Sequence, residues 1–296
     1  MSVATSRSEA PAPPTDPPHR IRVRGAAELR YARKHGATGL DHLYVRDPLK
    51  LLFPRPEAGE PPTAVVVTTS GGLVGGDELS LAIEVGAGAD SLVTAQAAEK
   101  VYRSTGPDAR VDVALAAGDG AWLEWLPQET ILFEGARLRR QTGLNLAAGA
   151  RALAGEILVF GRVARGEEMT RGLVRDAWRV RRDGRLTWAD ALHLDGDGPG
   201  GLAGPLNHPA GFAGARACAT AVYAAPGAEA DLDAAREILG QPAGVRAGVT
   251  AFPGLLVARF LAVEPLALRR AFAAYWAGLR HRLAGRPARL PRLWQI

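Results

Sequence analysis

The chain has 296 residues, 47% of them hydrophobic and 23% charged, with a net charge of +5. That is enough apolar material for a sizeable core, in one large β-rich domain or two smaller ones. A single cysteine, Cys218, excludes an intramolecular disulfide and a cysteine-rich zinc or iron–sulfur site. Of the 36 basic residues only Lys34, Lys50 and Lys100 are lysine. Arginine, alanine and glycine are enriched together, which reads as a coding bias. No basic run interleaves with aromatics, so nucleic acid is not the expected partner. No window of about 18 apolar residues reads as a membrane span. No apolar h-region marks a secretory signal, and the expected compartment is the cytoplasm.

In chain order, residues 1–19 are rich in Pro, Ser and Ala and read as a disordered lead-in. A single β-rich domain is expected over 20–296. A first strand is expected over 21–33 and a second over 40–45. Residues 48–56 read as an irregular link and 57–62 as a surface loop. From 64 to 194 short apolar runs recur: 64–69, 79–85, 91–95, 110–115, 121–126, 130–133, 137–146, 150–160, 172–182 and 185–194. Turn residues separate them, which is the signature of an all-β body. Similar turn phrases recur without a strict period and hint at stacked sheet layers with coil-like geometry. Residues 196–210 form the clearest loop, followed by a strand over 212–223. A short helix is expected over 231–239, with Asp231 as N-cap and Gly240 after its end. Two strands over 245–262 break at Pro253-Gly254. The one long helix is expected over 265–283, where Leu266, Leu268, Phe272, Tyr275, Trp276, Leu279 and Leu283 recur at helical spacing. The fold class is therefore mostly β, a stacked-sheet, β-helix-like body with a short helix and one long helix near the C-terminus.

The most distinctive stretch is Ser70-Gly71-Gly72-Leu73-Val74-Gly75-Gly76-Asp77. It lacks both the Gly-Lys-Ser/Thr ending and the G-x-G-x-x-G spacing of phosphate cradles. It also leads into a strand, so no helix N-terminus waits to hold an anion. It reads as a tight strand-to-strand connection with a bulge. Ser70 has no G-x-S-x-G elbow around it. Lys100 and Tyr102 do not follow the Tyr-x-x-x-Lys pattern of dehydrogenases, and that phrase reads as a strand end. Cys218 reads as a small buried apolar residue.

Four further phrases accompany the glycine stretch: Glu99-Lys100-Val101-Tyr102-Arg103-Ser104, Leu123 to Ile131 with Pro127 and Glu129, Phe133-Glu134-Gly135-Ala136, and Gly161-Arg162 followed by Arg165-Gly166-Glu167. Together with the ending Leu290-Pro291-Arg292-Leu293-Trp294, they resemble the UreD (UreH) family of urease accessory proteins from about residue 21 onward. The resemblance implies a mostly β fold and no covalent chemistry. It implies a scaffold or conduit that helps load nickel into apo-urease. It also implies action with a UreF-type protein bound directly, a UreG-type GTPase, often a UreE-type nickel carrier, and a complex compatible with a dimer.

For the residues themselves, nickel suits imidazole, thiolate and, less tightly, carboxylate. The six histidines show no i, i+2 or i, i+4 pairs. A tightly bound cofactor is not expected, whereas transient nickel(II) passage over oxygen ligands is. Asp77, Glu156 and Asp190, acids set among apolar strand residues, are the expected lining of a polar interior path. The competing reading is that each pairs with an arginine or faces solvent. Phe272, Trp276 and Trp294 mark a candidate partner surface, unless that helix face simply packs on the sheet. A different class of function, an enzyme with Glu129 or Glu167 as general base on a small acidic substrate, would need a closed pocket holding an acid of raised pKa.

Overall fold

The computed structural model describes residues 22–295. The lead-in expected over 1–19 lies outside them. In chain order the strands are β1 (Arg24–Lys34), β2 (Ala37–Arg46), β3 (Leu49–Leu52), β4 (Thr63–Thr68), β5 (Glu78–Val85), β6 (Asp90–Ala95), β7 (Glu99–Val101), β8 (Ala109–Ala117), β9 (Trp122–Leu126), β10 (Thr130–Leu132), β11 (Arg137–Leu146), β12 (Arg151–Phe160), β13 (Leu173–Arg182), β14 (Arg185–Asp195), β15 (Ala217–Ala224), β16 (Val245–Phe252) and β17 (Leu255–Ala262). The helices are α1 (Ala203–Asn207), α2 (Leu232–Leu239) and α3 (Pro265–Ala284).

From β4 to β13 the chain winds as a coil. Successive long strands alternate between two sheets, and each new strand lies parallel to the one a full turn earlier. One sheet runs β14-β13-β11-β8-β5-β1-β2, with its central strands parallel. The other runs β16-β17-β15-β12-β9-β6-β4-β3, with β4, β6, β9 and β12 parallel. Antiparallel strands finish the edges of both sheets. The short β7 and β10 build a third, narrow face, paired to each other and to the end of β12. On this face Leu73, Val101, Leu132 and Phe160 stack in register, all buried. The phrases singled out in the sequence, 70–77, 99–104, 127–136 and 161–167, lie at successive turns of the coil along this face.

The strand pattern read from the sequence holds, with three differences. The link over 48–56 contains β3, whose Leu49 is buried and whose backbone pairs with β4. The loop over 196–210 contains α1, and the strand expected from 212 starts at Ala217. The glycine stretch is not a hairpin turn. Its flanking strands, β4 and β5, belong to different sheets, so it is a corner between them.

Two apolar cores result. Inward side chains such as Leu29, Leu81, Leu115, Leu144, Val66, Val93 and Leu158 fill the space between the sheets. The outer face of the β12–β15–β17 sheet is covered by α3. Strand β12 is therefore buried on both sides, which explains its unbroken apolar run Ala152 to Leu158, with Glu156 as the exception. Helix α3 starts at Pro265 and ends at Gly285, whose left-handed backbone lets its N–H reach back to the Arg280 and His281 carbonyls. Its Leu268, Phe272, Tyr275, Trp276 and Leu279 lie against the sheet. Gly155 permits this approach, because a Cβ there would meet Phe272 Cζ at 2.8 Å and the Thr220 carbonyl oxygen at 2.8 Å.

A buried ion network fastens helix and tail to the coil. Arg280 and Glu124 are both inaccessible to solvent. Glu124 accepts from Arg280 at 3.0 Å and from the indole N–H groups of Trp122 and Trp276, each at 3.0 Å. Arg280 also donates to Glu60 at 3.1 Å and to the carbonyls of Pro287 and Arg289 at 3.1 and 2.7 Å. Further along the tail, Arg286 pairs with Asp90, Arg289 with Glu60 and Glu57, and Arg292 with Glu57. Trp294 stacks on Phe272 with ring centroids 6.0 Å apart. Among the described residues, no helix is long and apolar enough to cross a membrane.

Candidate functional site

Between the two sheets, β11 and β13 each point one charged side chain into the apolar interior, Arg140 and Asp176, and β12 supplies Glu156 from across the gap. Arg140 Nε donates to Asp176 at 3.0 Å, and a second nitrogen completes a bidentate pair. The same guanidinium reaches Glu156 at 2.8 Å and the Thr130 hydroxyl at 3.1 Å. Trp178 Nε1 donates to the other Glu156 oxygen. One arginine thus serves two carboxylates. Burial pushes the Glu156 carboxyl well above the usual range; Arg140 pulls it down, and Asp176 pushes it up again. Burial disfavours the charge on Arg140, yet Asp176 and Glu156 together hold its pKa above the ordinary arginine value. The Cys218 thiol lies beside the same carboxylates and is pushed far up by burial, which keeps it a neutral, inert thiol.

This cluster forms one wall of a cavity of about 190 Å³. The lining includes Gly71, Gly72, Glu99, Thr130, Arg140 and Glu156. Glu99, on β7, accepts from the Thr68 hydroxyl at 2.7 Å, and burial raises its pKa as well. The rest of the lining is largely apolar apart from Arg140 and Lys100, so the two carboxylates are its only acidic groups among the described residues.

The glycine corner closes one side of this cavity. Gly72 has φ +142°, and a Cβ there would meet Tyr102 Cε2 at 2.5 Å and the Lys100 carbonyl oxygen at 2.8 Å. Only glycine lets the corner lie this close to β7. Leu73 then pairs through backbone bonds with Lys100 and Tyr102 at 2.7 and 2.8 Å. The Tyr102 hydroxyl donates to the Gly71 carbonyl at 3.1 Å. Gly75 and Gly76 pack at the same corner against Ser104 and Pro107.

The three acids expected along one path lie in three different places. Glu156 faces the cavity. Asp77 is buried, but its carboxylate accepts from the backbone N–H groups of Val23 and Val74 at 3.1 and 2.9 Å, which fixes the glycine corner. Asp190 lies at the open edge between the sheets and pairs with Arg259 of β17 at 2.7 Å. The arginine-paired reading therefore describes Asp190 and, through Arg140, also Glu156, and a backbone-capping role describes Asp77.

The carboxylates considered as general bases are both occupied. Glu129 pairs with Arg269 of α3. Glu167 pairs with Arg162 and also accepts from the backbone of Glu134 and Arg162; the Arg162 hydrogen bond holds its pKa below the usual range. Glu167 is thus held on the wrong side of the usual range for a general base, and the Glu129 carboxylate is engaged by Arg269. Pro127 lines the cavity, and Arg103 bridges to Ala136 on the neighbouring turn. Gly161 and Gly166 shape the turn that carries Arg162. Phe272, Trp276 and Trp294 are buried within this chain, Trp276 completely. The aromatic stripe is core, and the expected partner surface is not there.

Sequence reasoning missed Arg140, Asp176 and Glu99. Arg140 and Asp176 stand on the inward phase of their strands, aligned with Leu138, Leu144, Val174 and Trp178. That charge on an apolar phase was the available signal. Among the described residues, no three His, Cys, Asp or Glu side chains gather into a metal-binding cluster.

Fold and site together define a solenoid-like β protein with two carboxylates at an interior cavity. The family model described as UreD urease accessory protein matches residues 23–295. A protein of Magnetococcus marinus, "Urease accessory protein UreD", is 49% identical over 280 residues, covering 93% of this chain and 94% of that one. Proteins of the same name from a Methylobacterium species and from Azorhizobium caulinodans are 47% and 41% identical. They cover 88% and 94% of this chain, and 90% and 98% of their own lengths. The chain belongs to the UreD family of urease accessory proteins.

Proposed function

We propose that this chain is a non-enzymatic scaffold in the assembly of the urease metallocentre, and that nickel(II) passes through its interior cavity. The observation that carries the reading is Glu156. It is a carboxylate lodged between two sheets, it faces a partly open cavity, and the arginine that reaches it is shared with Asp176. A group in that setting attracts a dication without surrounding it. One or two carboxylates hold nickel loosely, which suits a cargo that must be handed on. Glu99 supplies a second oxygen donor on the same cavity. A UreF-type protein bound directly, a UreG-type GTPase and apo-urease are the proposed partners, in the cytoplasm, with GTP hydrolysis by the GTPase driving the cycle.

The test is nickel-dependent activation of urease in a reconstituted system. Glu156→Gln and Glu99→Gln should leave the accessory complex intact and lower the activated fraction. Activation equal to wild type in the double variant would remove the interior path and leave a scaffold alone.

A further inference from the structure

The narrow third face carries most of the family phrases, yet the interior cavity accounts for only one side of it. Its outer side is a groove of about 800 Å³. The floor is apolar, built from Ile131, Phe133, Ile157 and Val159. One wall is the turn around Arg162 to Arg165, and the other is the first turn of α3 from Glu264 to Arg269. Along α3 the residues that cover the sheet begin at Leu268. Leu266, two residues earlier and so on the opposite side of the helix, points away from that core and is 55% exposed. Tyr102, at the opposite end, is 36% exposed and meets Phe133 edge to face at 4.9 Å.

The polar groups of this groove divide into two sets. Arg162 is committed to Glu167, with its guanidinium over the Phe133 ring at 4.6 Å. Arg269 is committed to Glu129 and Gln128. Lys100 and Arg165 on the rim have no carboxylate partner among the described residues, and both are exposed. Glu264 is the one lining acid without a cation among the described residues, and it sits at the N-terminal end of α3, where the helix dipole already favours it. The rim therefore offers unpaired positive charge above an apolar floor.

We propose that this groove is the docking site for an amphipathic helix of a protein partner, apolar on one side and acidic along its flanks. The inference rests on the partner complex proposed above and adds to it a place and a chemistry. An extended peptide adding as a strand has no backbone to pair with, because β7 and β10 are bonded on both sides, to the glycine corner, to each other and to β12. A small polar ligand finds few free groups to orient it, since Arg162 and Arg269 are both occupied. A helix needs neither. Its apolar anchors fill the floor between Leu266 and Tyr102, and its acids meet Lys100 and Arg165.

The experiment uses the full chain with a UreF-type accessory protein from the same organism. Complex formation is followed by size exclusion and affinity by titration at two salt concentrations. Leu266→Arg and the pair Lys100→Glu and Arg165→Glu change exposed side chains, so each should fold, as an unchanged melting curve will show. Loss of an anchor or reversal of the rim should weaken the complex about tenfold or more, and the rim variant should lose much of the salt dependence seen with wild type. A wild-type complex that none of these variants weakens overturns the inference and leaves the proposed function standing. Failure of the wild type to form any complex overturns that function and the inference with it. Self-association of this chain that Leu266→Arg abolishes also overturns it, because the groove would then hold a second copy.

Discussion

Two buried arginines in this molecule each stand between two carboxylates, and they end differently. Arg280 meets Glu124 and Glu60 under α3, and every acceptor there is filled: two indole N–H groups and the guanidinium serve Glu124, while tail carbonyls take the remaining Arg280 protons. Arg140 meets Asp176 and Glu156 between the sheets, and Glu156 is left facing a cavity. The same three groups make a fastener where packing closes round them and a candidate binding group where it does not. The chemistry of the residues is equal; the space next to them decides their use.

The largest effect should come from breaking the closed cluster. Arg280→Met strands Glu124 without a countercharge in a site that no water reaches. It should lower stability by about 3–5 kcal/mol in denaturant unfolding. A loss under about 1 kcal/mol would show that the cluster is no fastener. Gly155→Ala should come next, at about 1–3 kcal/mol, since the added methyl drives Phe272 off the sheet. A melt unchanged by that substitution would mean that α3 sits more loosely than the 2.8 Å approach implies.

Glu156→Gln sharpens the comparison from the open side. Gln keeps the shape of Glu156 and an oxygen for Trp178, while Asp176 still pairs with Arg140, so stability near neutral pH should change by less than about 1 kcal/mol, while nickel-dependent activation falls. The pH profile separates the two proteins further. The native state holds the Glu156 proton above the unfolded carboxyl pKa, so wild-type stability falls as pH rises from there to the raised native value. Glu156→Gln should flatten that slope, and an unchanged slope would assign it to another group. Asp190→Ala should do least, within about 0.5 kcal/mol, because its partner Arg259 is well exposed at the sheet edge.

Much of this architecture was legible in the sequence, for a definable reason. Alternation along 79–85 or 110–115 states which side chains share a face, and Pro253-Gly254 or Pro265 state where elements begin and end. Alternation does not state which strand is the neighbour. Nothing local in 64–69 and 79–85 says that they join different sheets, so the glycine corner between them read as an ordinary connection. Of the site, Glu156 was legible because it interrupts an apolar run. Arg140 was not, because it follows Arg137 and Arg139 in a stretch rich in arginine, and only the phase of β11 separates the inward one from the outward pair. Trp276 and Trp294 misled in the other direction, since an aromatic stripe looks the same in sequence whether it is covered by its own chain or by another.

The tail's ion pairs have a consequence for how the molecule comes apart. In a stack of coils each turn touches mainly its neighbours, so such a stack tends to fray from whichever end is weaker. Here Arg286, Arg289 and Arg292 reach back to Asp90, Glu57 and Glu60 on the earliest turns. That brace ties the last segment to the first, so neither end can loosen alone. Unfolding should therefore be a single cooperative event, and removing the brace should split it into steps.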